Sequence, residues 1–121
     1  MINPLLVAGQ LHGGIAQGIG GALMEELVYD AEGQLRNASF MDYAMPRADD
    51  VPAIQTTLVN HRSRINELGV KGVGESGCIS PAAVIANAVE DALVEFDVPI
   101  REVPVTPARL FELLRRRREL A

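Results

Sequence analysis

The stretch that decides between two folds is Gly72-Val73-Gly74-Glu75-Ser76-Gly77, in which one glutamate stands among three glycines. Glycine lets a backbone turn sharply and approach a ligand closely. A carboxylate held in such a loop is presented to a small space, as a catalytic base requires. The same six residues also match G-x-G-x-x-G, the phosphate-binding turn of dinucleotide-binding folds. The residues before and after the loop decide between these two interpretations.

The residues on either side of the loop argue against dinucleotide binding. The fingerprint needs a buried strand before it, whereas residues 65–71 are polar and interrupted by Gly69. The next helix has its start signal at Ser80-Pro81, later than a pyrophosphate site requires. Asp97 lies where the acidic residue of the fingerprint is expected, but too little chain follows for a second βαβ unit. A dinucleotide binder is therefore the remote alternative.

Start signals and hydrophobic periodicity predict an α+β fold with about three helices and a small sheet. Apolar residues recur every four positions in 11–28, which predicts the first helix. Ser80-Pro81 and Thr106-Pro107 each combine a capping residue with a proline at the first helical position. Strand-like composition occurs at about 35–43 and 54–60. The order helix, strand, strand, helix, helix is typical of the α+β class.

One face of the first predicted helix is made of glycine, at Gly14, Gly18 and Gly21. Each interior glycine costs a helix about 1 kcal/mol relative to alanine, so such a helix needs tertiary support. The face lets another backbone or a ligand come very close, and no partner for it is obvious within the chain. We therefore expect residues 1–121 to form a single partial domain that packs against something larger.

The composition limits the kinds of partner and site that we expect for this chain. The net charge of −5 argues against nucleic acid, and the basic cluster Arg115–Arg118 is interpreted as a solvated helix end. Cys78 is the only cysteine, so no internal disulfide forms, and with His12 and His61 it gives no metal-ligand spacing. No apolar run is long enough to span a membrane. We expect a cytoplasmic protein with no metal ligands of its own.

Two segments, GQLHGGIAQGIG from Gly9 and GVKGVGE from Gly69, carry a more specific signal. In order and spacing they resemble two segments of the molybdenum hydroxylases, the family of xanthine dehydrogenase, aldehyde oxidase and the large subunit of aerobic carbon monoxide dehydrogenase. The pieces between them fit as well, namely Glu25-Glu26, Tyr29-Asp30, residues 39–43 and Met45-Pro46-Arg47. The resemblance covers nearly the whole chain. It extends to only the last part of the large subunit, from the middle of its second molybdenum-cofactor-binding domain.

This resemblance implies oxidative hydroxylation at a molybdenum–pterin cofactor. Glu75 falls on the family's general base, which takes a proton from a hydroxyl on molybdenum while that oxygen attacks an electron-poor carbon. Gln10 falls on the glutamine that hydrogen-bonds the molybdenum centre. The backbone of Gly72, Val73 and Gly74 is expected to lie against the cofactor. The chemistry of a general base agrees with these positions, since a base must sit within hydrogen-bond reach of the proton it removes.

The resemblance also implies partners that this chain does not contain. It implies the cytosine dinucleotide form of molybdopterin, with iron–sulfur clusters and FAD on other domains or subunits. The rest of the large subunit, or a split-gene partner, is expected to complete the site. Ser76-Gly77 resembles the bacterial branch, which favours an aldehyde, an N-heterocycle or a similar substrate. The alternative is a catalytically inert fragment or binding module that keeps the fold.

Overall fold

The computed structural model describes residues 1–120 and contains three α-helices. These are α1 (Pro4–Leu23), α2 (Pro81–Ala92) and α3 (Pro107–Leu120), and a single 3₁₀ turn, Val94–Phe96, follows α2. Each α-helix begins with proline, whose fixed φ suits the first helical position. The three predicted helices are therefore confirmed.

The first helix has different bounds from those predicted. It begins at Pro4 rather than residue 11, because the Asn3 side chain accepts a hydrogen bond from the Leu6 amide at 3.1 Å and caps the first turn. It ends at Leu23 rather than residue 28, because the amides of Met24 and Glu25 both donate to the Gly20 carbonyl at 2.8 Å. The apolar repeat continued past the helix end, so periodicity alone placed both boundaries too late.

The predicted small sheet is wrong for this chain, since residues 1–120 contain no strand. Their one β-type pairing is an isolated antiparallel bridge between Tyr29 and Leu35, which closes the turn at Gly33. After this bridge, residues 39–43 form a turn in which the amides of Asp42 and Tyr43 donate to the Ser39 carbonyl. The second predicted strand, at 54–60, forms no backbone hydrogen bond with another segment of residues 1–120. A strand without a partner is not stable as a sheet.

The core is small and lies where the end of α1 meets the C-terminal third of the chain. Val98, Ile100 and Val105 are buried together, and Ala22 is fully buried at the end of α1. The Val105 amide donates to the Ala22 carbonyl at 2.7 Å, which fixes this junction. Around the buried cluster pack partly buried side chains from all three helices, namely Leu23, Ala86, Val89, Leu110, Leu113 and Leu114.

The surface of the chain is too large for a compact protein of this length. Its accessible area is 9581 Å², whereas a compact monomer of this size exposes roughly 6,300 Å². Large apolar side chains contribute to the excess, including Phe40 at 86 %, Ile65 at 94 % and Met41 at 95 % exposure. This surface supports the expectation that the chain packs against something larger. No helix within residues 1–120 is long and apolar enough to cross a membrane.

Candidate functional site

The predicted catalytic loop lies directly on the glycine face of α1. A methyl group added at Gly77 would lie 2.5 Å from the Leu11 carbonyl oxygen and 3.0 Å from the Gly14 Cα. One added at Gly14 would lie 2.9 Å from the Gly77 Cα. The two backbones therefore touch with no room for a side chain, which explains glycine at both positions.

A second glycine of the same face receives the start of α2. A methyl group at Gly18 would lie 2.5 Å from the Pro81 side chain, and Pro81 is buried. At Gly21 nothing lies within 4 Å. The glycine face therefore does have a partner within the chain at two of its three positions, contrary to the expectation from sequence. Both contacts hold the segment from Glu75 to Pro81 against α1.

Two predicted site residues far apart in sequence are joined by a hydrogen bond. The Gln10 side-chain nitrogen Nε2 donates to the Gly74 carbonyl oxygen at 3.0 Å, across 64 positions. Gln10 lies one helical turn before Gly14, so both residues lie on the side of α1 that faces the loop. The amide oxygen of Gln10 accepts no hydrogen bond from residues 1–120 and stays available to a ligand.

The loop itself is a pair of consecutive turns around Glu75. The Ser76 amide donates to the Val73 carbonyl at 3.2 Å. The Glu75 carbonyl accepts from the Cys78 amide at 3.1 Å and from the Cys78 thiol at 3.2 Å. The backbone of Glu75 is thus fixed by its hydrogen bonds to Cys78. Its side chain is exposed and forms no ion pair with the part of the chain described. The carboxylate is therefore free to meet a reacting group.

The other side of the loop is open. At Gly72 and Gly74 an added methyl group would meet nothing within 4 Å, whereas Val73 between them is partly buried. The exposed backbone, the amide oxygen of Gln10 and the Glu75 carboxylate together offer hydrogen-bond donors and acceptors in and beside the loop. Such a set fits a polar organic cofactor. Residues 1–120 contain no cluster of three or more His, Cys, Asp or Glu side chains that would hold a metal ion directly.

One residue that shapes the approach to the loop was not predicted. Asn66 donates from Nδ2 to the Val70 carbonyl and accepts from the Val70 amide through Oδ1, both at 3.0 Å. Gly69, within this turn, has a left-handed φ of 66°. Asn followed by a glycine three positions later is a turn signal that the sequence carried. The turn leads directly into Lys71 and the predicted catalytic loop.

Known proteins resemble this chain over nearly its whole length. A family model described as the molybdopterin cofactor-binding domain matches residues 1–52. The nicotine 6-hydroxylase large subunit of Paenarthrobacter nicotinovorans is 44 % identical over 91 % of this chain and 14 % of its own length. The carbon monoxide dehydrogenase large chain of Afipia carboxidovorans is 34 % identical over 93 % of this chain and 14 % of its own. A putative xanthine dehydrogenase molybdenum-binding subunit of Escherichia coli is 42 % identical over 93 % of this chain and 15 % of its own.

The chain corresponds to part of the molybdenum-binding large subunits of the xanthine dehydrogenase and carbon monoxide dehydrogenase family. Solved structures agree with the sequence relatives. Quinoline 2-oxidoreductase from Pseudomonas putida 86 matches with a TM-score of 0.91 and 46 % identity, over 95 % of this chain and 15 % of that one. A Cu,Mo-CO dehydrogenase matches with a TM-score of 0.89 and 33 % identity, over 96 % of this chain and 15 % of that one. The chain thus spans about one seventh of the length of the family members that it matches.

The fold also weakens the remote alternative of dinucleotide binding. No strand precedes Gly72, and α2 begins only at Pro81, after Ser80. A pyrophosphate would need the glycines to open the helix directly. The loop is instead pressed against α1 through Gly77, which is the position that should face the helix–strand junction in a dinucleotide fold.

Proposed function

We propose that this chain is the segment of a molybdenum hydroxylase large subunit that supplies the general base, Glu75. Gln10, Gly72, Val73 and Gly74 supply contacts to the molybdenum–pterin cofactor. The observation that carries this proposal is the hydrogen bond from Gln10 to Gly74. It brings the two segments of the family resemblance together, next to an exposed carboxylate and on the open side of the loop.

The chemistry that the chain's own residues perform is proton transfer and positioning. When bound, the cofactor supplies oxygen transfer and takes up the two electrons of the oxidation. Glu75 accepts the proton released in that reaction, because its side chain is exposed and unpaired while its backbone is fixed by Cys78. The free oxygen of Gln10 and the open backbone at Gly72 and Gly74 hold the cofactor.

The segment works only together with the rest of the large subunit. Its matched relatives are several times longer, and they include a large chain of carbon monoxide dehydrogenase and the gamma subunit of a dehydrogenase complex. We infer iron–sulfur clusters and FAD on other domains or subunits, the cytosine dinucleotide form of the cofactor, and a cytoplasmic location. The excess surface of the chain supports this assembly, because exposed side chains such as Phe40 and Met41 need covering.

We proposed aldehydes, N-heterocycles and similar molecules as the range of substrates. Within this range, the relatives favour an N-heterocycle. The nicotine 6-hydroxylase subunit, 44 % identical, and quinoline 2-oxidoreductase, 46 % identical, are named for nicotine and quinoline, and both molecules contain a ring nitrogen. A carbon next to a ring nitrogen is electron-poor, which is what attack by an oxygen nucleophile requires. The substrate pocket itself is formed by residues outside this chain.

Substitution of Glu75 tests the proposed base. In the assembled enzyme, Glu75→Gln keeps the size of the side chain and removes its basicity, so turnover should fall by roughly 100-fold to 10,000-fold. Molybdenum content should stay normal. Glu67→Gln is the matched control, since Glu67 is an exposed loop carboxylate that lies within the Asn66 turn, before the predicted catalytic loop. Retained turnover in Glu75→Gln would contradict the base role, and joint loss of molybdenum and turnover would assign Glu75 to cofactor binding instead.

The need for the rest of the subunit is tested on the chain alone. Purified by itself, it should show no substrate-dependent reduction of an artificial electron acceptor, because most of the cofactor's surroundings are missing. The chain recovered from its native cells should elute with larger polypeptides and with about one molybdenum per complex. Dye reduction by the isolated chain would refute the dependence. Recovery of a lone 13.0 kDa species without molybdenum would favour the inert-fragment alternative.

A further inference from the structure

The segment between the two halves of the site has no hydrogen-bonding partner. Residues 52–63 contain neither a turn nor a bend, so the chain runs through them without a sharp change of direction. From Val51 to Arg62, no backbone amide or carbonyl is bonded to another residue of the described chain. Residues 55–60 are exposed in this chain, so their backbone groups are open to water here and would have to be paired if another part of the subunit covered them. A straight segment with a full set of unpaired groups is the form that a strand takes when its neighbour is missing.

The composition of this segment suits a buried strand rather than a solvated linker. Ile54-Gln55-Thr56-Thr57-Leu58-Val59 is rich in β-branched residues, which favour strands. Residues 51–60 carry no charge. Strand edges that face water are normally protected by charged residues or proline, and here only Pro52, at the start, does so. Val59 is 80 % exposed, which is costly for a strand that stays in water.

We propose that residues 53–60 pair as a β-strand with an edge strand in the remaining part of the large subunit. The inference rests on the assembly proposed above. We place the partner outside this chain, because residues 53–60 form no backbone hydrogen bond with any other segment of residues 1–120. Relatives supply ample material for it, since this chain accounts for 14 % of the length of the nicotine 6-hydroxylase subunit. An uncharged segment rich in β-branched residues fits a strand that pairs within a sheet in that remainder.

Such pairing would also bear on the site. Residues 53–60 are followed by His61, and the Asn66 turn and the catalytic loop come next along the chain. On the other side, the loop is already held by Gln10 and Gly14 of α1. Fixing the strand in a sheet would therefore anchor the loop from both directions, and the carboxylate of Glu75 would be placed by the assembled subunit rather than by this chain alone.

Hydrogen exchange measures the pairing without reference to turnover. In the complex purified from native cells, amides of residues 53–60 should exchange at least about 100-fold more slowly than in the isolated chain. Fast exchange in a complex that contains molybdenum would overturn the strand pairing and leave the role of Glu75 standing. Failure to recover any complex would overturn the partner. Protection that grows with the concentration of the isolated chain would show self-pairing and would also overturn the proposal.

Proline substitutions test the backbone contacts directly. Successive residues of a strand direct their amides to opposite edges, so either Thr56 or Thr57 must donate toward the partner. At least one of Thr56→Pro and Thr57→Pro should lower the yield of complex by roughly tenfold, since proline removes the donor. Thr56→Ala and Thr57→Ala are the matched controls and should assemble within about twofold of the wild type. If both proline variants assemble like their alanine controls, residues 53–60 are not a paired strand.

Discussion

The side chain of Gln10 donates a hydrogen bond to the carbonyl oxygen of Gly74 at 3.0 Å and so connects α1 to the residue before Glu75. The oxygen of the same amide accepts no hydrogen bond from residues 1–120. We therefore propose two roles for Gln10: its nitrogen positions the loop, and its oxygen is available to the cofactor. The two functions can be separated by substitution because they use different atoms.

Removing the Gln10 amide should lower turnover without emptying the site. Gln10→Leu loses the bond to Gly74, and one neutral hydrogen bond contributes about 1 kcal/mol, so kcat should fall by roughly fivefold. Gln10→Glu keeps an oxygen acceptor but directs a carboxylate toward the Gly74 carbonyl, so it should lower kcat at least as much. The measurement is kcat and KM of the assembled enzyme, with molybdenum content determined on the same samples.

Gln17→Leu is the control for this pair, because Gln17 is an exposed glutamine of the same helix and has no hydrogen bond to the loop. It should leave kcat within about twofold of the wild type. Wild-type kcat in Gln10→Glu would show that only the acceptor oxygen matters, and the positioning role would then be wrong.

Adjacent glycines of α1 should respond oppositely to alanine. Gly14→Ala places a methyl group 2.9 Å from the Gly77 backbone, which cannot move aside as a flexible side chain would. Overpacking of this kind costs about 1–3 kcal/mol. Gly13→Ala meets nothing within 4 Å and should be neutral or stabilising by up to about 1 kcal/mol, because alanine is the better helix former. Denaturant unfolding of the two variants measures the difference, and equal stabilities would contradict the close backbone contact.

Local signals predicted the second and third helices well. Helices α2 and α3 begin at the prolines of Ser80-Pro81 and Thr106-Pro107; the Thr106 hydroxyl caps α3 by accepting from the Arg109 amide at 3.2 Å, whereas the Ser80 side chain makes no capping hydrogen bond. The start of α1 was misplaced because its prediction rested on the apolar repeat of residues 11–28 alone, whereas the helix begins at Pro4, capped by Asn3. The small sheet failed for a different reason. Strand composition at 54–60 is a local property, whereas pairing depends on a second segment that no local pattern supplies.

The site divides in the same way. The position of Glu75 as a single carboxylate among glycines was predicted from its immediate neighbours. The role proposed for Gln10 came from the family resemblance. Nothing in the spacing of Gln10 and Gly74 indicated that they would share a hydrogen bond, because 64 positions separate them. The contact of Gly14 with Gly77 was half predictable: a bare helix face indicates close approach but not which backbone makes it.

The pair Tyr43 and Glu25 makes a prediction about pH. The Tyr43 hydroxyl donates to Glu25 Oε2 at 2.7 Å, and this bond to a carboxylate, followed by desolvation and the charge of Glu25, raises the pKa of Tyr43. A raised pKa means that the folded chain holds this proton more tightly than the unfolded chain. The stabilisation is therefore complete below the ordinary tyrosine pKa, which is about 10, and is lost as pH rises through the raised value.

Tyrosinate absorbance during an alkaline titration tests this assignment. Glu25→Gln should bring the pKa of Tyr43 down toward its ordinary value, and Tyr43→Phe should remove the late-titrating component and so identify it. The chain has two tyrosines, so the difference between the wild-type curve and the Tyr43→Phe curve isolates Tyr43. Superimposable curves for the wild type and Glu25→Gln would show that the bond to Glu25 does not form in solution.

Glu90 should be important for stability although it lies outside the site. Its Oε2 accepts a hydrogen bond from the Ile100 amide at 2.7 Å, and Ile100 belongs to the buried cluster. Glu90→Ala leaves that amide without a partner beside the core, which costs about 1–3 kcal/mol. Glu90→Gln retains an acceptor oxygen and should lose less than half as much. The nearby ion pair with Arg101 at 3.8 Å adds little, because the Arg101 side chain is 75 % exposed.

Denaturant unfolding of these variants separates the hydrogen bond from the charge. Asp91→Ala is the matched control: it removes a carboxylate from the next position of the same helix, and that side chain is exposed. It should be neutral or slightly stabilising, since a negative charge near a helix C-terminus is unfavourable. The order of stability should therefore be Asp91→Ala, then Glu90→Gln, then Glu90→Ala. If Glu90→Ala is as stable as Asp91→Ala, the Ile100 amide finds another partner and the end of α2 does not depend on Glu90.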